Sequence, residues 1–247
     1  MVIEHFLRTH RSPKIMIYAL HGALGQASDW NHLAVDLKAQ NQRLAKIDLW
    51  QFLACCPMPL SKFGAAFNRE VQDKSPVILG YSMGGRLALH ALLDQPKRWR
   101  KAVIVSAHTG LPSSERSQRQ AKDAEWAAKA LKGHWEEFLQ EWNEQSVLSG
   151  ISMPDRSQLK KRREAVARSF MDWSVGAQDD LLPRLSGINC PVLWVVGERD
   201  TKFLEVAKQA VSVLQQGELC VVPDCGHRVP WEKPEIFSAK VQEFLEQ

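Results

Sequence analysis

The stretch "LGYSMGGRLAL" at residues 79–89 sets a single serine, Ser82, between glycines at the end of an apolar run. Gly80-Tyr81-Ser82-Met83-Gly84 lies between a strand pattern (75–82) and a helix-forming segment (83–93), the strand–turn–helix context a nucleophile elbow requires. In so tight a turn Cβ atoms at the glycine positions would clash, and the serine is forced into a strained conformation with Oγ projecting above the sheet. It also sits at a helix N-terminus, whose positive dipole end favours developing negative charge. Such a serine needs a base. Of eight histidines, His227 in "DCGHRVPWEKP" follows the last apolar run and precedes a helix. Asp200 closes the preceding run in "VVGERD". The imidazole would take the Ser82 proton, and the carboxylate would fix its tautomer and stabilise the imidazolium. Asp224 is a rival carboxylate, but it stands only three residues before His227 and belongs with that loop. "HGALG" (21–25) turns the chain after the first apolar run, so the backbone N–H groups of Ala23 and Met83 are assigned as an oxyanion hole. His21 reads as structural.

Six short apolar runs could position these groups: 14–22, 43–50, 75–82, 100–107, 190–200 and 217–227. Helical patterns at 83–93, 203–214 and 234–245 lie between or after them. Strands alternating with helices imply an α/β fold with a mostly parallel, doubly wound sheet. Residues 113–185 break the alternation: they carry many charges and almost no strand pattern, and Ser114 or Ser157 could cap helices there. The segment reads as a helical lid inserted between a core of residues 1–112 and 186–247.

The 247 residues suffice for one full core, and the net charge of +4, from 32 Lys and Arg against 28 Asp and Glu, is too small to argue for nucleic acid. It suits a small anionic substrate if the positive charge gathers at one pocket. Five cysteines, two of them the adjacent Cys55 and Cys56, show no zinc spacing and read as reduced thiols of a cytoplasmic protein. Cys55 and Cys56 are expected to be packing residues. "MVIEHFLRTHRSPK" lacks a signal-peptide core, and no run approaches the length of a membrane span. The composition leaves the oligomeric state open.

Together these pieces resemble the α/β-hydrolase fold. More narrowly, "HGALG", "GYSMGGRLAL", "HTGL" followed by "ERSQRQAKDAEW", "EW" at 141–142, "GERDTKF" and "GH" at 226–227 resemble the 2-succinyl-6-hydroxy-2,4-cyclohexadiene-1-carboxylate synthases of menaquinone and phylloquinone synthesis. The chain order Ser82, Asp200, His227 is the order of that fold. The resemblance implies a lyase that eliminates pyruvate from a succinyl-enolpyruvyl-cyclohexene precursor, with the triad serine acting as base and no cofactor or metal. It implies substrate binding by Arg86, by Arg119 if a one-residue gap is allowed, by Tyr81 and Trp142, and by a third arginine among Arg162, Arg163 and Arg168. A guanidinium offers a carboxylate a planar fork and a charge that does not titrate away. One stretch departs from the pattern: relatives carry an Asp-x-Pro-Gly-x-Gly-x-Ser loop where this chain has "DLWQFLACCPMPL".

Two other readings compete. A carboxylesterase of the pimeloyl-carrier-protein methyl ester kind would share the triad and a basic lid, but has little use for Arg86 beside the serine. A binding module that keeps the fold without the chemistry would not need Ser82, Asp200 and His227 together.

Overall fold

The computed structural model describes residues 15–151 and 154–247. The expectations for the N-terminal "MVIEHFLRTHRSPK", and the first fourteen residues of the expected core, lie outside the described residues.

Among the described residues, six strands form one parallel sheet: β1 Met16–Leu20, β2 Arg43–Ile47, β3 Val77–Tyr81, β4 Lys101–Val105, β5 Val192–Gly197 and β6 Gly217–Val222. Their order is β2-β1-β3-β4-β5-β6. Every residue of β3, β4 and β5 is buried, whereas the edge strands β2 and β6 are half-exposed. That is why the inner strands read as unbroken apolar runs. Alternate residues feed two cores: Ile17, Leu79, Val103 and Val195 pack on one face, and Leu20, Ile78, Ile104 and Trp194 on the other.

From β1 the chain goes outward to β2, then returns past β1 to form β3. The order of strands therefore reverses between β1 and β3, and in such sheets a crevice opens at the carboxyl ends of the strands flanking that reversal. "HGALG" leaves β1 there, and Ser82 leaves β3.

Helix α1 (Asn31–Ala39) joins β1 to β2, α2 (Leu49–Cys55) and α3 (Leu60–Glu70) join β2 to β3, and α4 (Met83–Asp94) follows Ser82. The insertion between β4 and β5 holds α5 (Ser113–Lys132), α6 (Trp135–Asn143), α7 (Arg163–Asp172) and several single 3-10 turns. After β5 come α8 (Thr201–Val213), then α9 (Val229–Glu232) and α10 (Pro234–Glu246) beyond β6.

Three local expectations are corrected. The second apolar run is a strand only to Ile47, because the Asp48 carboxylate accepts the backbone N–H groups of Trp50 (3.1 Å) and Gln51 (3.0 Å) and starts α2. Neither serine caps the insertion's helices. Pro112 precedes α5, whose first residue is Ser113, and the Ser157 backbone N–H is taken by Asp155 at 2.8 Å. Cys55 and Cys56 are exposed, not packing residues, because they lie where α2 ends at the surface.

Candidate active site

Between β3 and α4 the backbone of Ser82 has φ 52° and ψ −110°, a left-handed conformation costly for any residue with a Cβ. The neighbouring glycines permit it. A Cβ on Gly80 would lie 2.4 Å from the Gly84 carbonyl oxygen, and one on Gly84 would lie 2.3 Å from that of Leu20. The Ser82 N–H donates to Val105 O at 2.8 Å, tying the turn to β4.

Asp200 closes the turn after β5, its N–H donating to Gly197 O (3.1 Å), and its carbonyl accepts Leu204 N–H (2.8 Å) as α8 begins. His227 lies on the loop after β6. Glu232 of α9 braces that loop by accepting the N–H groups of Gly226 (2.8 Å) and Arg228 (3.1 Å). The three side chains meet: His227 Nδ1 lies 2.6 Å from Asp200 Oδ2, and Nε2 lies 3.1 Å from Ser82 Oγ. The carboxylate beside Nδ1 requires the proton there, which leaves the Nε2 lone pair facing the hydroxyl. Asp200 and His227 are buried, and the imidazole is flanked by the rings of Phe203 and Tyr81 at centroid distances of 4.5 and 5.6 Å. Asp224, the rival carboxylate, is exposed, and among the described residues it is engaged through its backbone.

His21 is fully buried; its Nδ1 donates to Gly22 O (2.9 Å) and its Nε2 accepts Leu49 N–H (3.2 Å). Burial pushes its pKa down to about 4, so it is a neutral structural group. The departing stretch after β2 supports the same turn: Trp50 donates its indole N–H to Gly25 O at 2.7 Å and packs on the His21 ring.

Two lobes of a cavity share Ser82, Ala23, Trp142 and Leu148. The larger, about 800 Å³ of empty space, is bordered by Met83, Arg86, His108, Arg119, Lys202 and His227 among others, and among the described residues no Asp or Glu lines it. Arg86 is buried, and it donates to neutral acceptors, Trp173 O at 2.7 Å and Gln178 Oε1 at 3.3 Å. Burial and the nearby Arg119 charge push its pKa down to about 9, which leaves it cationic at neutral pH. Arg119 Nε donates to Asp123 (2.9 Å), whose other oxygen accepts the Ser174 hydroxyl (2.6 Å). His108 accepts the Gly110 N–H at Nδ1 (3.1 Å), so its proton sits on Nε2. Burial and the charges of Lys202, Arg86 and Arg119 hold the ring neutral, with its pKa near 4.

The smaller lobe, about 400 Å³, is bordered by Tyr81, Trp231, Pro154, Asp29, Arg156 and Arg228. Tyr81 thus faces this lobe rather than Arg86, while Trp142 borders both and packs on Trp126 and Phe170.

None of the three candidates for the third lid arginine, Arg162, Arg163 and Arg168, borders either lobe. Arg163 donates to the Ala130 and Gly133 carbonyls at the end of α5 (2.9 and 2.8 Å), which satisfies helix-end acceptors. Arg168 pairs with Asp172 one helical turn on, and Arg162 lies 3.6 Å from Asp48. The sequence reading missed Lys202, although it stands inside the quoted "GERDTKF", and it missed Arg228, the residue after His227.

Among the described residues, no group of three or more His, Cys, Asp or Glu could hold a metal ion. No helix there is long and apolar enough to cross a membrane.

Comparison with known proteins agrees with this architecture. The model of the alpha/beta hydrolase family matches residues 17–240. A Bacillus subtilis (strain 168) protein provisionally named 2-succinyl-6-hydroxy-2,4-cyclohexadiene-1-carboxylate synthase is 30% identical, over 93% of this chain and 89% of its own length. The Serratia proteamaculans (strain 568) protein that bears the same name is 27% identical, over 99% of this chain and 98% of its own. Among solved structures, MenH from S. aureus superposes with a TM-score of 0.81 at 21% identity, covering 96% of this chain and 95% of that one. The chain belongs to the alpha/beta hydrolase family and, within it, resembles enzymes named as these synthases.

Proposed function

We propose that the protein is a carbon–oxygen lyase that eliminates pyruvate from 2-succinyl-5-enolpyruvyl-6-hydroxy-3-cyclohexene-1-carboxylate, giving 2-succinyl-6-hydroxy-2,4-cyclohexadiene-1-carboxylate in menaquinone or phylloquinone synthesis. The observation that carries the reading is the hydrogen-bonded Ser82, His227 and Asp200 beside a lobe that gathers Arg86, Arg119 and Lys202 without an opposing carboxylate at its lining. A substrate with three carboxylates needs such a lobe.

The bond changes follow from the two structures. The proton on ring carbon 2 is acidified by the succinyl ketone and by the adjacent ring alkene. His227 Nε2 takes the Ser82 proton, and the Ser82 oxygen removes the carbon 2 proton. The released electron pair forms the 2,3 double bond, the old 3,4 pair moves to 4,5, and the carbon 5–oxygen bond breaks. The leaving enolpyruvate takes the proton from the His227 imidazolium and ketonises to pyruvate. During the step the negative charge spreads onto the succinyl ketone oxygen, where the N–H groups of Ala23 and Met83 are assigned to receive it. Asp200 holds the imidazolium throughout. Arg86 and Lys202 hold carboxylates, Arg119 does so in competition with Asp123, and Trp142 and Tyr81 shape the two lobes. The helical insertion serves as the lid, which excludes water from the charged intermediate. The chemistry is proton transfer and elimination, for which these residues suffice without a cofactor. The five free thiols suit the cytoplasm.

Incubation with the precursor is expected to release pyruvate, and Ser82→Ala is expected to lower that release by about 10³-fold or more. Release no faster than in buffer rejects the reading.

The same serine, base and backbone donors also suit acyl transfer, so a carboxylesterase is the second reading. A burst of nitrophenol from a short-chain nitrophenyl ester, with no pyruvate from the precursor, would select it.

A further inference from the structure

The smaller lobe has its own charge arrangement. Arg156 and Asp29 form an ion pair at 2.7 Å, both almost fully buried, and cancel one another. Among the described residues Arg228 has no ion-pair partner. It is 3% exposed, and its guanidinium donates to neutral acceptors, the Ile151 carbonyl and the Asn143 side-chain oxygen, while its Nε lacks an acceptor among the described residues. Glu232 is occupied by the backbone N–H groups of Gly226 and Arg228 and by the approach of Arg199 at 3.6 Å. A buried cation without a counter-ion is costly, and an anion seated beside it removes that cost. The remaining walls, Tyr81, Trp142, Leu148, Pro154 and Trp231, are apolar or aromatic. The Tyr81 phenol is kept protonated by burial, so it remains a donor in spite of the Arg228 charge.

We propose that this lobe is a second carboxylate subsite, built for a carboxylate at the end of a short unbranched arm, with Arg228 as its counter-ion. The assignment of that arm rests on the proposed reaction: the succinyl chain enters this lobe, and the ring and enolpyruvyl carboxylates face Arg86, Arg119 and Lys202. The apolar and aromatic walls around one cation suit a two-methylene arm that ends in a carboxylate. The division also leaves Ser82, shared by both lobes, next to the carbon that joins arm to ring.

The test uses 4-oxo-4-phenylbutanoate, which carries the same arm on a plain benzene ring, and its uncharged amide. Calorimetry on the full chain is expected to show the acid binding at least about tenfold tighter than the amide, the value of one charge-assisted contact. Arg228→Gln is expected to abolish that preference, and Arg86→Gln to retain it. Equal binding of acid and amide, no binding of either at 10 mM concentration (about the weakest affinity worth defending), or a preference lost only in Arg86→Gln overturns the proposal. If Arg228→Gln fails to fold, a crystal of the unaltered protein with the acid decides. A carboxylate within hydrogen-bonding distance of Arg228 supports the subsite, and one seated in the Arg86 lobe overturns it. Acid binding at Arg228 by a protein that releases no pyruvate would keep the subsite and reject the proposed reaction, so the two fail separately.

Discussion

Ser82, Asp200 and His227 stand on turns that follow β3, β5 and β6, whereas Arg119, Arg162, Arg163 and Arg168 stand on or beside helices of the insertion. The first set is placed by backbone: a strained turn that only Gly80 and Gly84 permit, and loops stitched to strand ends and to Glu232. The second set is placed by side-chain partners close at hand, such as Asp123, Asp172 and the carbonyls closing α5. Groups that must hold a geometry to a fraction of an ångström are fixed by the sheet. Several charges on the insertion serve the insertion itself; among the described residues Arg119 reaches the larger lobe, and Arg156, neutralised by Asp29, borders the smaller one. Charge alone therefore does not decide which residues border the cavity.

Breaking the sheet side is expected to have the largest effect. Asp200→Asn keeps the shape but favours the wrong His227 tautomer, and the rate of pyruvate release should fall about 10³–10⁴-fold with little change in thermal stability. Arg86 comes next. Its replacement by Gln should raise KM by about 10–100-fold, the value of a charge-assisted contact. Arg119→Gln should cost less, because Asp123 already takes up part of that charge; steady-state kinetics on both variants checks the order. A third measurement concerns the buried imidazoles. His21, His90 and His108 all have pKa values held down near 4 by burial, below their ordinary 6.5. The unfolded chain then binds more protons than the folded one between those values. The stability they contribute is complete above pH 6.5 and is lost as pH falls towards 4. Calorimetric melting should show Tm dropping across that window, steeply because protonating His21 at Nε2 ejects the Leu49 N–H. The smallest effects belong to Arg162→Gln and Arg168→Gln: exposed pairs of this kind contribute about 0–1 kcal/mol, so stability and KM should stay near those of the parent.

The inner strands were legible because burial on both faces leaves them apolar throughout, and the triad because each member follows such a run directly. Where a polar residue redirected the chain, reading failed: Asp48 starts a helix, yet the apolar "LW" behind it looked like more strand. The periodic apolar spacing of Leu60, Phe63 and Phe67 could have revealed α3. Resemblance singled out Arg86, and the structure sets it at the larger lobe because it is one turn from Ser82 on a helix of fixed geometry. It failed for the third lid arginine, since nothing in the local pattern says which side of a charged helix faces inward. Arg228 was adjacent to His227 and could have been suspected. The Arg156–Asp29 pair joins distant stretches of chain, and no single sequence reveals such a partnership.

Arg86 grows from the helix behind the elbow, yet its fork grips Trp173 and Gln178 of the helical insertion. On the proposed function, this one guanidinium is both latch and ligand. Swinging the cover outward would strip two acceptors from a desolvated cation, and an arriving anion would replace them. On that reading, affinity for substrate and ease of opening are thermodynamically linked through a single side chain, so any change that tightens one is expected to alter the other.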